Sequence, residues 1–343
     1  MRVLTVRDLN RALLARQLLL ERAAMPIDEA IEQVGGLQTQ YAPSGYVGLW
    51  TRVAGFRREA LTAALEDRSV IQATLLRTTI HIVSRREFWR YASGVRRIRR
   101  TWLLRVQRGA VARDEAAMQR AAEQLRVALA DGPLTVKELG GLADGFIGNA
   151  GLWVDLVRIP PSGTWDHRRA DRLGLAELWV GPEDATEEEG LTHLVEAYLR
   201  AFGPAPWRDI AAWAGLPVGD ARRGGEGLAL VHYRDDAGRE LVDVPNGPLP
   251  EPGTPAPVRF LPHWDAALLV HARRTGLLPE EYRPRVFSSR NPFSVGTYLV
   301  DGRVAGAWSW RSGRIVLDQF GDLSTRDRRA VEDEREGLEA FYA

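Results

Sequence analysis

The sequence predicts an α+β fold made of three tandem winged-helix domains and a small C-terminal antiparallel β-sheet or β-barrel. Three observations point there. First, a layout of long helix, Gly-Pro turn and two short helices recurs. Gly132-Pro133-Leu134-Thr135-Val136-Lys137-Glu138-Leu139 follows a helical pattern over 113–130, and Gly203-Pro204-Ala205-Pro206-Trp207-Arg208-Asp209-Ile210 follows one over 187–202. Second, paired strand patterns at 69–83 and 228–244 stand where a wing would follow such helices. Third, beyond a stretch rich in proline and glycine at 245–257, the pattern changes to strands joined by tight turns. The expected boundaries are 1–110, 111–183 and 184–250 for the winged helices, and 251–343 for the barrel with a closing helix.

Taken in order, residues 5–22 carry apolar side chains at helical spacing. Pro26, Asp28 and Glu29 open a second helix, with proline at its first turn and acids near its positive end. That helix stops at Gly35-Gly36. Pro43 to Arg52 and residues 57–66 read as further helices. Ser69 to Thr74 and Thr78 to Val83 read as strands rich in β-branched residues. Residues 84–109 form a basic helical segment in which nine arginines face a single acid, Glu87. Within it Arg96, Arg97, Arg99 and Arg100 make a candidate phosphate-binding surface. The alternative is a solvated helix face whose acids come from elsewhere. Leu228 to Tyr233 and Glu240 to Val244 form a hairpin around Asp235-Asp236-Ala237-Gly238. Pro257 to Leu261, Phe293 to Val300, Arg303 to Trp310 and Arg314 to Phe320 supply the barrel strands, and 325–342 the last helix.

With 343 residues, 45% apolar and 27% charged, the chain is globular and long enough for several cores. A net charge of +1 announces no global nucleic-acid affinity, although all but one of the 46 basic residues are arginine. No cysteine is present, which excludes a thiol nucleophile, a zinc ribbon and a disulfide framework. No apolar run reaches the ~18 residues of a membrane span, and no signal-peptide pattern opens the chain. A cytoplasmic protein without a membrane partner is expected. The six histidines form no HxxxH or HExxH pair, so neither a metal site nor a cofactor is expected. His263 with Asp265 suggests an oriented imidazole, against the alternative of a structural histidine at a strand end.

The stretch Val34-Gly35-Gly36-Leu37-Gln38-Thr39-Gln40-Tyr41-Ala42-Pro43 holds the candidate site. Gly35, Gly36 and Pro43 all weaken a helix there. In extended backbone Gln38 and Gln40 point to one side, whereas on a helix they would diverge. Two neutral amides can then converge on one polar object. The plainer reading is that they sit on a solvated loop or cap the preceding helix.

Several motifs, in their order, resemble one known family. They are Gly36-Leu37-Gln38-Thr39-Gln40 leading to Leu49-Trp50-Thr51-Arg52, Arg77-Thr78-Thr79-Ile80-His81-Ile82-Val83, and Pro160-Pro161-Ser162-Gly163-Thr164-Trp165. Phe202-Gly203-Pro204, Leu261-Pro262-His263-Trp264-Asp265 and Val300 to Trp308 continue the series. Together they resemble the winged-helix DNA glycosylases of the AlkZ and YcaQ type over nearly the full length. The resemblance implies three winged helices with a β-barrel, and a catalytic signature of glutamine, an aliphatic residue, then glutamine or aspartate. Gln38 and Gln40 match the polar positions as catalytic residues, while Thr39 departs from the aliphatic one.

The resemblance implies hydrolysis of the bond between a base and its deoxyribose, through an oxocarbenium-like transition state. Glutamine does not ionise, so it can orient a water and place partial charge but cannot act as a strong base. That suffices only for a good leaving group. A purine alkylated at N3 or N7 is cationic and leaves as a neutral base. The expected protein is a monofunctional DNA glycosylase for bulky or cross-linking alkylpurines, working as a nucleoid-associated monomer on double-stranded DNA in repair or genotoxin self-resistance. The alternative is a non-catalytic winged-helix DNA-binding protein or regulator. The hairpin tip Trp310-Arg311-Ser312-Gly313-Arg314 is narrow and carries only arginine charges, which makes Arg311 and Arg314 candidates for the minor groove.

Overall fold

The computed structural model describes residues 1–106, 114–140, 142, 147–269, 272, 274–287 and 294–343. Arg108 and His271 lie outside them. Strand β1 (Val3–Leu4) leads into helix α1 (Val6–Arg16), which starts at a capping box. There the Thr5 hydroxyl accepts from the Asp8 N–H, and the Asp8 carboxylate accepts from the Thr5 N–H. The helix ends well before residue 22 because Leu18 takes a left-handed backbone, φ 55°. Helix α2 (Ile27–Gln33) runs into Gly35 and Gly36 at φ 76° and 80°, then strand β2 (Leu37–Gln38). A side chain at Gly35 would meet Ala201 at 3.1 Å, so this turn needs glycine for both its conformation and its close approach.

Helices α3 (Pro43–Trp50) and α4 (Arg58–Glu66) precede strands β3 (Val70–Thr74) and β4 (Ile80–Ser84) and the long helix α5 (Phe88–Val106). Next come α6 (Glu115–Leu129), β5 (Leu134–Thr135), α7 (Ile147–Ala150), β6 (Leu156–Arg158), β7 (Arg172–Leu175) and α8 (Ala176–Trp179). The Gly132-Pro133 turn therefore opens a strand rather than the short helix expected, because Leu134 and Thr135 pair with Leu173 and Arg172. The third helical group is α9 (Glu187–Phe202), α10 (Trp207–Ala214) and α11 (Val218–Gly224), followed by the hairpin β8 (Val231–Asp235) and β9 (Glu240–Asp243). Strand β10 (Arg259–Leu261), helix α12 (Arg283–Val286), strands β11 (Gly296–Val300), β12 (Arg303–Arg311) and β13 (Arg314–Gln319), and helix α13 (Thr325–Tyr342) complete the chain.

Three sheets form among the described residues. The first two strand pairs do not stay separate: β2-β4-β3-β6-β7-β5 form one six-stranded sheet. Its joint is β3, which pairs with β4 on one side and with β6 on the other through Gln72–Arg158 and Ala73–Val157. Pairing covers an edge that would otherwise be left open. Strand β1 adds in parallel to the β8-β9 hairpin. The expected C-terminal barrel is a correction. Strands β10-β11-β12-β13 make an open four-stranded sheet that does not close among the described residues. Instead of closing, it is backed by α13, whose Val331 and Leu338 are buried in the same cluster as Phe260, Tyr298, Trp308 and Ile315.

The largest core packs α5 against α9 beneath one face of the six-stranded sheet, with Ile71, Ala73 and Val83 meeting Tyr91, Val95, Leu194 and Tyr198. The opposite face of β2 and β4 packs Leu37 and Ile82 against Tyr46 and Val47 of α3. Strand β2 therefore lies between two cores, and its alternation decides which side chains face which.

Candidate active site

Gln38 ends strand β2, and the chain bends at Gln40. Leu37 and Gln38 pair with Ile82 and His81, and the Thr39 N–H donates to the Ile80 carbonyl at 2.8 Å. Thr39 is buried and accepts a hydrogen bond from Nε2 of buried Gln72 at 3.0 Å. Leu37, Thr39 and Gln72 belong to the α3 side of the sheet, so Gln38, which pairs with His81, belongs to the other side. The middle position of the motif packs inward against Gly45, where an added Cβ would meet Thr39 Cγ2 at 2.8 Å. Threonine thus fills this place with a methyl toward α3 and a hydroxyl toward Gln72.

Each glutamine is held by a protein donor. Gln38 Oε1 accepts from Nη2 of Arg77 at 3.0 Å. Gln40 is exposed, and its Oε1 accepts from the Ile80 N–H at 3.2 Å. Arg77 also donates to the Trp213 carbonyl at the end of α10. Burial lowers the Arg77 pKa to about 10. His81, opposite Gln38 on β4, is buried, and its Nδ1 donates to the Thr79 carbonyl at 3.0 Å. Burial, and then the Arg77 charge, push its pKa down to about 3, so it is neutral at physiological pH.

Beside Gln38 lies a cleft of about 10 Å³, lined in part by Ser44, Arg52, His263 and Trp264. Its volume is that of one water. Ser44 Oγ is buried there and has no hydrogen-bond partner among the described residues. His263 Nδ1 donates to the Ser294 carbonyl at 2.6 Å, which leaves Nε2 available. Asp265 does not orient this imidazole. Its carboxylate is taken by Arg52 through two 2.9 Å contacts, in a pair whose side chains are 1% and 2% exposed. Arg52 also reaches Gln17 Oε1 and the Gly48 carbonyl, which ties the cleft floor to α1 and α3.

A family model described as "AlkZ-like: DNA glycosylase AlkZ-like" matches residues 31–341. The chain belongs to the AlkZ-like DNA glycosylase family. A solved structure titled "Streptomyces sahachiroi DNA glycosylase AlkZ" has the same fold, with a TM-score of 0.80 over 97% of this chain and 95% of that one at 19% identity. A comparison with curated protein sequences finds no match.

In this glycosylase the four helix arginines are engaged by the protein itself. Arg96 pairs with Asp155 at 2.7 Å and Glu183 at 2.9 Å, and Arg97 with Glu187 at 2.7 Å and Asp220 at 2.9 Å. Arg99 is buried and donates to the Thr74 carbonyl. Arg100 donates to the carbonyls of Leu152 and Trp153. The acids missing nearby in sequence come from distant segments. Of the four, Arg97 keeps the most exposed side chain, at 47%.

Arg311 and Arg314 are exposed at a two-residue turn with Ser312 at φ 47° and Gly313 at φ 79°. Aromatic contacts link this hairpin to the glutamine segment. Tyr41, next to Gln40, meets His263 edge-on at 5.9 Å, and His263 lies 6.2 Å from Trp308. Trp308 meets Tyr342, which stacks on Trp310 at 4.5 Å. Arg168 donates to the Tyr41 hydroxyl at 3.0 Å and lies over the Trp165 ring. Sequence reasoning named neither Arg77, Ser44, Tyr41 nor Arg168 as site residues. Their only signal was membership of, or nearness to, the recurring motifs. Among the described residues, no three His, Cys, Asp or Glu side chains cluster as metal ligands, and no helix is long and apolar enough to cross a membrane.

Proposed function

We propose that this glycosylase hydrolyses the N-glycosidic bond of N3- or N7-alkylated purines in double-stranded DNA, including bulky and cross-linking adducts, with Gln38 and Gln40 as the catalytic residues. The observation that carries the reading is the neutral pair itself: two amides two positions apart, each fixed by a protein donor. Neither ionises, so neither drives departure of an ordinary base. They supply oriented dipoles beside a developing sugar cation and a hydrogen-bonding partner for water. A cationic alkylpurine needs no protonation to leave, so this modest assistance is matched to it. Each amide oxygen keeps a second lone pair, and that of Gln40 is on the exposed side.

The enzyme works as a monomer in the cytoplasm with the nucleoid, in repair or self-resistance. Its DNA lies across modules 1–110, 111–183 and 184–250, each a winged helix. Arg311 and Arg314 enter the minor groove, from a hairpin that packed rings tie to Tyr41 beside Gln40. Among Arg96, Arg97, Arg99 and Arg100, Arg97 makes the phosphate contact. The test is abasic-site formation on duplex DNA containing one 7-methylguanine. Enzyme-dependent abasic sites on that strand, absent from unmodified duplex, are expected. DNA binding without any abasic product at enzyme excess would make the protein a binder instead.

A further inference from the structure

Arg77 sits in the turn between β3 and β4, and both it and Thr78 have left-handed backbones, φ 51° and 60°. Non-glycine residues seldom take that conformation, and two in succession aim one side chain at a cost. The guanidinium is mostly buried, and among the described residues no carboxylate pairs with it. Its hydrogen bonds go to the Trp213 carbonyl and to Gln38 Oε1. Gly215, left-handed at φ 78°, runs against it: a Cβ there would lie 3.4 Å from Arg77 Cγ. A link between the third helical group and the sheet needs only a neutral donor. An unpaired buried cation is costly and calls for another reason.

The reason is the amide it touches. Arginine only donates, so the oxygen of Gln38 has to face it and the NH₂ group has to face away. A charge-assisted bond in a low-dielectric setting also polarises the amide and strengthens its remaining N–H donors. We infer that Arg77 is the positioning residue of this active site: it clamps Gln38 so that Gln38 acts through Nε2, as a donor. Gln40, held by a backbone N–H with its oxygen's second lone pair on the open side, is left as the acceptor for water. The two glutamines then have different roles despite identical chemistry. This inference rests on the catalytic reading of Gln38 given above.

The test is a double-mutant cycle under single-turnover conditions on 7-methylguanine duplex, with Arg77→Met, Gln38→Ala and the double variant, and with DNA affinity measured alongside. Methionine keeps length and removes the donors. Each single variant is expected to lose about tenfold or more in excision rate, the scale for one oriented charge-assisted contact. The double variant should be no slower than the slower single. Losses that multiply would overturn the inference and leave the catalytic reading intact, as would Arg77→Met at the wild-type rate. A Gln38→Ala variant at full rate would overturn the catalytic reading itself. Gln38→Glu gives an arm that does not depend on the folding of Arg77→Met. It keeps an oxygen for Arg77 and loses the NH₂. A loss as large as that of Gln38→Ala supports the donor role, and a rate at or above wild type overturns it.

Discussion

Gly45→Ala tests how the middle residue of the motif is seated. In most helix interiors this change gains about 1 kcal/mol, since alanine is the better helix former. Gly45 lies within α3 and has no left-handed backbone, so that gain is available in principle. The new Cβ would stand 2.8 Å from Thr39 Cγ2, closer than side chains approach, while Ile82 and Leu61 would be at an ordinary 3.5 and 3.7 Å. Overpacking of this kind costs about 1–3 kcal/mol. The net prediction is a loss on the order of 1 kcal/mol, set by those two opposing terms. Thr39→Ser removes the offending methyl and keeps the oxygen that accepts from Gln72. In that background the same Gly45→Ala change should stabilise. The coupling between the two positions, about 1–3 kcal/mol, is read from urea denaturation of the four proteins. Excision rate should follow, because displacing Thr39 moves both flanking glutamines. An equal effect of Gly45→Ala in the two backgrounds would refute the inward seating of Thr39.

Three further predictions follow from the same geometry. Arg52→Met leaves Asp265 charged and buried and should cost about 3–5 kcal/mol by urea denaturation. Arg52→Met with Asp265→Leu should recover much of it, and no recovery would mean that the pair does more than cancel its own burial. His81 and His193 are both pushed down to about 3 by burial, from an ordinary 6.5. Below pH 6.5 the unfolded chain takes up protons that the folded chain refuses. Stability is therefore full above 6.5 and is lost as pH falls toward 3, by about 2 kcal/mol per histidine at pH 5. Glu87, raised by burial and 3.8 Å from His193, offsets part of this. His193→Phe should flatten the urea midpoint between pH 7 and 5, and an unchanged slope would remove His193 from the account. Arg311→Ala and Arg314→Ala should each lower the salt slope of binding by about one unit on damaged and undamaged duplex alike. A defect confined to damaged DNA would mean that the hairpin reads the lesion.

What the sequence made legible was local. Helix α9 and helix α13 fall where the helical pattern put them, and the Asp235 to Gly238 and Ser312-Gly313 turns join the strands expected. The extended backbone at Gln38 was legible because glycines and a proline on either side weaken a helix there. What failed depended on distant partners. The arginines of α5 looked unopposed because Asp155, Glu183, Glu187 and Asp220 reach them only in the folded chain. A closed barrel and an open sheet backed by a helix share the same hairpins, and they differ in whether the end strands pair, which depends on residues far apart in the chain. The link from Arg77 to Gln38 spans 39 positions, with no pattern in the sequence between them.

The central claim is that Gln38 and Gln40 act on the transition state rather than on DNA binding. The direct measurement is the single-turnover excision rate of Gln38→Ala and Gln40→Ala on 7-methylguanine duplex, with the dissociation constant measured on the same substrate. A fall in rate on the order of tenfold to a hundredfold is expected for each, with affinity changed by less than about threefold. Equal losses in rate and affinity would contradict the claim and reduce both glutamines to DNA contacts.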